Sequence, residues 1–199
     1  RRTWVESGVN TYWLSEPVRT GVSHKHALSI EGGGENMYYG ITLNYASNKG
    51  VMKESGNDLL GFNLNLNYRS EKLVVANDFD LDYRTEYNPP VTFDVYVETN
   101  PYYPKDFDGG IPKYLDSYQF KVLKDNQSAV INIPNPLYNA SLNFLDEKSS
   151  LNLRNNLKME YKLTPTLKLS GKLNLTHSLD VTEKFLSPYH TKFDNNNRL

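Results

Sequence analysis

Three aspartates and an arginine alternate along one short stretch of the chain. Asp78, Asp80, Asp82 and Arg84 stand two residues apart, so in an extended strand they share a face, with neighbouring carboxylates about 7 Å apart. Carboxylates in such a row can line the path of a polar ligand or hold Ca²⁺ through oxygen atoms. An EF-hand loop also needs Gly at its sixth position and Glu at its twelfth, where this chain has tyrosine and proline. The alternative is that the carboxylates pair with Arg84 or with lysines on adjacent strands.

A second group of candidates lies in the segment 87–150, which shows no sustained strand pattern. A connection of this length is usually either functional or disordered. Its aromatic rings could stack on sugar rings, and its carboxylates could accept hydrogen bonds from hydroxyls. The foremost residues are Tyr102, Tyr103, Asp106 and Asp108, with Tyr96, Phe107, Tyr114, Asp116 and Tyr118 nearby. The alternative is that the N-P-Y-Y-P run at 100–104 packs against neighbouring loops instead of a ligand.

Other kinds of chemistry have little support in the sequence. His24 and His26 share a strand face, but a metal site needs a third ligand that is not evident nearby. The chain has no cysteine, which excludes disulfides, thiolate metal sites and cysteine nucleophiles. It contains no G-x-S-x-G elbow, phosphate-binding glycine loop or H-E-x-x-H motif. We therefore predict no enzymatic activity, no metal site and no cofactor.

The elements that would position these residues follow a two-residue alternation. The clearest stretch is 60–68, L-G-F-N-L-N-L-N-Y, whose nine residues are enough to cross a membrane as a tilted strand. The other predicted strands are 26–31, 37–47, 73–86, 151–163 and 167–176. No apolar run reaches the roughly 18 residues that a membrane helix needs, but a barrel strand can be polar at every second position.

The connections between these strands alternate between short and long. The short ones are tight turns at 32–36, 69–72 and 164–166, and the long ones are 48–57, 87–150 and the tail after Asp180. In an up-and-down sheet, all the long connections project from one rim, as they do in outer-membrane barrels. We therefore predict an all-β chain whose antiparallel up-and-down strands form part of a large transmembrane β-barrel with long extracellular loops.

A soluble sandwich or lipocalin-like barrel would also alternate apolar and polar faces. Predicted strands of nine to fourteen residues, against about five or six in soluble sheets, favour the membrane barrel. So do 15 tyrosines, which often fall at strand ends like an interfacial girdle. We expect Asp78, Asp80, Asp82 and Arg84 to face the lumen, while the lipid-facing set comprises Leu64, Leu66, Leu81, Leu157 and Leu173.

Several motifs in serial order resemble one family. The first is W-L-S-E-P-V-R-T-G at 13–21, which H-K-H-A-L-S-I-E-G-G follows at 24–33. Later ones are the strand 62–67, N-P-Y-Y-P at 100–104, N-P-L-Y-N-A at 135–140 and F-L-S-P at 185–188. Together they resemble the barrel segment after the plug in SusC/RagA-type TonB-dependent transporters. Ser15 and Glu31 depart from that family's usual pattern, which has an acidic and a small polar residue there.

The resemblance implies an outer-membrane location in a Gram-negative bacterium, and a role in importing oligosaccharide or peptide fragments. It implies three partners besides lipid: a SusD-like lipoprotein that acts as a lid, a TonB complex reached through the plug, and the imported ligand. The N-P-Y-Y-P run could then contact the lid protein. A net charge of −1 argues against a nucleic-acid partner.

We interpret residues 1–199 as part of a barrel of about 22 strands, with about six strands and a long outer loop at about 87–150. The chain starts without Met and ends on a polar run at 194–199, so we expect an internal fragment, with the plug upstream and the remaining barrel downstream. Two alternatives stay open. One is a soluble β-rich carbohydrate-binding module, which must cover its leucine faces with a second layer, and the other is a structural barrel without a transport role.

Overall fold

Six antiparallel strands form one open sheet. The computed structural model describes residues 2–105, 107, 109–122 and 127–194, with the backbone alone at 120–122 and 127–129. In chain order the strands of this sheet are β1 (Val22–Gly33), β2 (Met37–Lys49), β3 (Gly56–Arg69), β4 (Leu73–Tyr87), β7 (Phe144–Lys162) and β8 (Lys168–Leu186). They pair in the order β1-β2-β3-β4-β7-β8. The prediction of antiparallel, up-and-down β structure is confirmed, and β1 and β8 are the two edges.

The pairing register divides the sheet into an apolar and a polar face. Across the middle of the sheet, Ile41 pairs with Leu64 and Leu64 with Phe79. One residue along, Asn63 pairs with Asp80 on the other side. All five leucines predicted to face lipid lie on the apolar face, and the three aspartates with Arg84 lie on the polar face. The two-residue alternation therefore gives the side of the sheet on which each group lies.

Several strands are longer than the alternation predicts. β1 begins at Val22 instead of residue 26, β7 at Phe144 instead of 151, and β8 continues to Leu186 instead of 176. In the β7 extension, residues 146–150 are polar on both faces, as where Thr85 pairs with Ser149, so the alternation gives no sign of this part of the strand. In the β8 extension the alternation continues through Leu179, Val181 and Phe185, and the predicted end at 176 is too early. The connection predicted at 87–150 is in fact 88–143.

The remaining segments gather at the rim where the long connections emerge. Residues 88–143 contain helix α2 (Phe93–Glu98), a hairpin of β5 (Tyr114–Val122) and β6 (Gln127–Pro134), and helix α3 (Pro136–Ser141). Helix α1 (Arg2–Glu6) and a 3₁₀ turn (Trp13–Ser15) precede β1, and a second 3₁₀ turn (Thr191–Phe193) follows β8. We call the described residues of 2–21, 88–143 and 187–194 the cap. Among the described residues, no helix is both long and apolar enough to cross a membrane.

The buried apolar core of the described chain lies in the cap and not on the sheet. It comprises Trp13, Val91, Tyr96, Tyr103 and Leu115, with Trp4, Phe107, Ile133, Leu137 and Ala140 packed around it. In the six strands of the sheet, by contrast, no described apolar side chain is buried, and Leu173 is 53% exposed. A soluble binding module would need a second layer on this face, and no described segment supplies one.

Candidate ligand path and cap

The aspartate row stands on the polar face of β4, next to amide side chains of β3. The Asn63 amide donates a hydrogen bond of 2.6 Å to Asp80, and the Asn65 amide donates to Asp78. Asp78 and Asp80 are half-buried, whereas Asp82 is exposed. Each carboxylate that receives an amide proton still has free acceptor positions. The row therefore offers hydrogen-bond acceptors along the polar face.

Arg84 does not pair with these aspartates. Its guanidinium lies 3.4 Å from Glu86 on the same strand. Within the described residues, no salt bridge involves Asp78, Asp80 or Asp82, so the alternative of carboxylates neutralised by Arg84 or neighbouring lysines does not hold there. The described residues likewise contain no cluster of three or more His, Asp or Glu side chains that could hold a metal ion.

The two candidate tyrosines of the long connection have different environments. Tyr103 is 1% exposed and its hydroxyl donates a hydrogen bond of 3.1 Å to Asp116. Because Tyr103 belongs to the cap core, its ring is not accessible for stacking on a ligand. This agrees with the alternative that the run 100–104 packs against neighbouring segments. Tyr102 is 44% exposed and stays a candidate for ligand or partner contact. Asp106 and Asp108 lie outside the described residues.

The segment before β1 contributes to the same core. The Trp4 ring packs edge-on against Tyr103 and Phe107, with centroids 5.8 and 5.2 Å apart. The indole nitrogen of Trp13 donates to the Asn100 carbonyl at 3.1 Å, and Lys105 forms an ion pair with Glu16. The core of the cap is therefore built from two regions that are far apart in sequence, and the tryptophan of W-L-S-E is buried in it.

The third region of the cap, after β8, is held to the rest of the cap by polar contacts. The Asn139 amide donates to the Thr191 hydroxyl at 2.8 Å, and Asn139 accepts the Thr191 backbone N–H. The Tyr114 hydroxyl and the Lys113 ammonium both donate to Asp194 and hold the pKa of that carboxyl below its usual value. Burial raises the pKa of Tyr114 to about 12. The N-P-L-Y-N-A motif is the signal that could have identified Asn139, whereas Asp194 lies in a run that the sequence marks only as polar.

A cleft of about 390 Å³ opens at the same rim, across the tops of β2, β3, β4 and β7. Its lining includes Arg19, Asp58, Tyr87 and Glu147. Arg19 has a structural role there, because its guanidinium donates hydrogen bonds to the carbonyls of Gly50 and Ser55 at 3.2 and 2.9 Å. These contacts join the R-T-G segment to the β2–β3 turn. Sequence reasoning missed this cleft, since its residues come from four strands and from the segments beside them.

Tyrosines bound the apolar face above and below. Towards the short turns, Tyr39, Tyr68 and Tyr161 are exposed on this face; towards the cap, Tyr45 pairs with Leu60 and Leu60 with Tyr83. From Tyr68 to Leu60 the distance is about 27 Å along the strand at roughly 3.4 Å per residue. At a strand tilt of about 40° this corresponds to about 20 Å of height. Beyond the upper tyrosines the face turns polar, with Ser47, Asp58 and Thr85 in successive strands.

Comparisons with known proteins find a similar sequence in a TonB-dependent receptor and a similar fold in a peptide importer. No protein-family model matches the chain. The chain is similar to the TonB-dependent receptor SusC of Bacteroides thetaiotaomicron, with 28% identity over 211 aligned positions that cover 94% of this chain and 20% of the relative. This chain thus spans about a fifth of the relative's length.

Solved structures of the RagAB peptide importer have a similar fold. The open-open state matches 88% of this chain and 19% of the importer chain, with 17% identity and a TM-score of 0.63. The closed-closed state matches 92% and 21%, with 16% identity and a TM-score of 0.65. The predicted fold class is confirmed, with the six strands forming an open sheet in this chain.

Replacing Tyr103 by Phe should destabilise the cap without altering the sheet. The substitution removes the hydroxyl that donates to Asp116 in a partly buried place and leaves that carboxylate with the Ser117 backbone N–H, which costs about 1–2 kcal/mol. Tyr102→Phe is the matched control and should have little effect, because the Tyr102 side chain is largely exposed. Hydrogen exchange of the cap amides measures the difference. Equal protection in both variants would contradict the placement of Tyr103 in the cap core.

Proposed function

We propose that this chain, a segment of SusC/RagA type, forms part of the wall and outer cap of a TonB-dependent importer in the bacterial outer membrane. In this proposal residues 1–199 contribute six strands, and the plug and the remaining strands belong to other parts of the same protein. The apolar face contacts lipid, the polar face borders the lumen, and the cap lies outside the cell. The activity is transport through a gated pore, without bond chemistry on the ligand.

The observation that carries the proposal is the apolar band bounded by tyrosines. Its estimated height of about 20 Å is close to the apolar band of about 25 Å on outer-membrane barrels, which aromatic girdles also flank. Exposed leucines on this face would be unfavourable in water, but lipid removes that cost. The edge strands β1 and β8 have unpaired backbone groups, which neighbouring barrel strands would satisfy.

The polar face supports a hydrophilic ligand path. Asp78 and Asp80 receive amide hydrogen bonds from β3, which fixes their side chains, while their remaining acceptor positions stay available. Hydroxyl groups of oligosaccharides and amide groups of peptides both donate to such acceptors. The proposed ligand is therefore an oligosaccharide or a peptide, with Asp78, Asp80, Asp82 and Arg84 along its path.

The cap supports a partner outside the membrane. Its core is closed, yet it exposes aromatic side chains, with Tyr12 at 68%, Tyr102 at 44% and Tyr189 at 71%. Exposed aromatic rings are common at the centres of protein interfaces. A SusD-like lipoprotein is the proposed partner on this surface, and TonB is proposed to supply energy through the plug.

Leu64→Arg tests the lipid-facing assignment. Leu64 lies halfway between the tyrosine rows, so arginine there should cost about 2–4 kcal/mol of stability in a bilayer. The measurement is unfolding of the full-length protein in lipid vesicles, followed by loss of the heat-modifiable band on a gel.

Asn63→Arg is the matched control, because Asn63 is the adjacent residue on the polar face, beside Asp80. Arginine at position 63 should be tolerated, since a wet lumen solvates its charge. If Leu64→Arg folds and inserts as well as the unmodified protein, the apolar face does not contact lipid and the proposal fails.

Asp78→Asn with Asp80→Asn tests the ligand path. The change keeps the shape of both side chains but removes their charges, and hydrogen bonds to charged groups are the stronger ones, so ligand affinity should fall about tenfold. Uptake of labelled oligosaccharides and peptides by whole cells measures the effect. Asp58→Asn, on the other side of the sheet, should leave uptake unchanged. Equal uptake by all these proteins would remove the two aspartates from the path.

A further inference from the structure

Two asparagines form a hydrogen bond among apolar neighbours on the apolar face, which also carries His177. The Asn77 amide of β4 donates to the Asn155 side-chain oxygen of β7 at 2.6 Å. In the register, Asn77 pairs with Leu157 and Asn155 with Phe79, so both side chains lie between the two tyrosine rows. Both are half-buried. Polar groups that face hydrocarbon without a partner are costly, so each asparagine depends on the other for its hydrogen bond.

The pair sits where the sheet has no local turn. Strands β1–β2, β2–β3, β3–β4 and β7–β8 are joined by connections at 34–36, 50–55, 70–72 and 163–167, whereas residues 88–143 separate β4 from β7. A short turn fixes the register of a hairpin, but a connection of this length does not. The β4–β7 seam must therefore obtain its register from contacts between the strands.

A second polar contact lies at the top of the same seam. The Asn88 backbone donates to the Asp146 carbonyl at 2.9 Å, and the Asn88 amide donates to its carboxylate at 3.0 Å. The Lys184 ammonium of β8 donates to the same carboxylate at 2.6 Å. Asp146 thus joins the end of β4 to β7 and β8.

We infer that the Asn77–Asn155 pair and the Asn88–Asp146 contact lock the register of the β4–β7 seam during barrel assembly. A one-residue slip would turn the apolar residues of β7 to the lumen, so two-residue slips are the serious competitors. One such slip puts Met159 opposite Asn77. Asn155 then lies four residues along the strand from Asn77, about 13 Å away, and both amides lose their hydrogen bond. The opposite slip keeps the asparagines together but moves Asp146 about 7 Å away from Asn88. Each direction of slip is thus opposed by at least one contact.

Cysteine cross-linking tests the inference in the full-length protein, in a background free of other cysteines. Val75 is opposite Met159 in the native register, so the pair Val75→Cys with Met159→Cys reports that register. The pair Val75→Cys with Tyr161→Cys reports the slip that separates the asparagines. We expect only the first pair to cross-link in the unmodified background. Asn77→Leu should raise the slipped cross-link about tenfold, the effect of losing one hydrogen bond.

A double variant separates register from stability. Asn77→Leu leaves Asn155 unpaired, whereas Asn77→Leu with Asn155→Leu removes both polar groups, so the double variant should regain stability and still show the slipped cross-link. Asn63→Leu is the matched control, because it breaks the Asn63–Asp80 bond at a seam that the turn at 70–72 joins. Cysteine pairs placed across β3 and β4 should show no slip in this variant.

The inference rests on the proposed lipid-facing assignment. Leu64→Arg in the same assay distinguishes a failure of the register lock from a failure of that assignment. If Asn77→Leu shows only the native cross-link while Leu64→Arg still prevents folding, the lock is overturned and the assignment stands. If Leu64→Arg is harmless, the lipid-facing assignment itself fails and the lock fails with it.

Discussion

The structure depends on one constraint: a sheet whose apolar face has no described protein layer against it must obtain its apolar surroundings from outside the chain. Lipid satisfies that requirement and adds a second one, because it offers no hydrogen bonds to the backbone. The strands satisfy their backbone N–H and C=O groups by pairing in continuous antiparallel ladders from β1 to β8. Free edges are not tolerated in hydrocarbon, so the proposed membrane setting requires neighbouring barrel strands beside β1 and β8.

The chain therefore folds against two different surroundings. Between the tyrosine rows, one face of the sheet carries mostly leucines and other apolar side chains, and the opposite face carries the aspartate row with the amides of β3. Above the upper row, the organisation becomes that of a water-soluble domain, in which Trp13, Tyr96, Tyr103 and Leu115 form a buried core. Three separate regions of sequence meet there, joined by contacts such as Asn139 with Thr191. The cap thus has a buried core of its own, whereas the apolar face of the sheet has no described layer against it.

The sequence predicts the sheet well because the face on which a side chain lies follows from its neighbours in the same strand. A two-residue alternation assigns each side chain of β3 to a face, and this places Leu64 and Asp80 on opposite sides without knowledge of the partners. The cap is harder to predict, because its contacts join distant residues: Tyr103 looks like a ligand-binding tyrosine until Trp4 and Asp116 are seen around it. The upper end of β7 also escapes prediction, since residues 146–150 are all polar and backbone pairing leaves no hydrophobic pattern there.

Depth-resolved spin labelling along β3 tests the central claim most directly. In the full-length protein, in a background free of other cysteines, single cysteines at 56–69 can be labelled one at a time in vesicles. The account predicts that access to oxygen, which dissolves in lipid, alternates every two residues, is greatest near Leu64 and falls beyond Leu60 and Tyr68. Access to a water-soluble nickel complex should alternate in the opposite phase. Equal access on both faces, or a greater oxygen effect at Asn63 than at Leu64, would contradict a lipid-facing apolar wall.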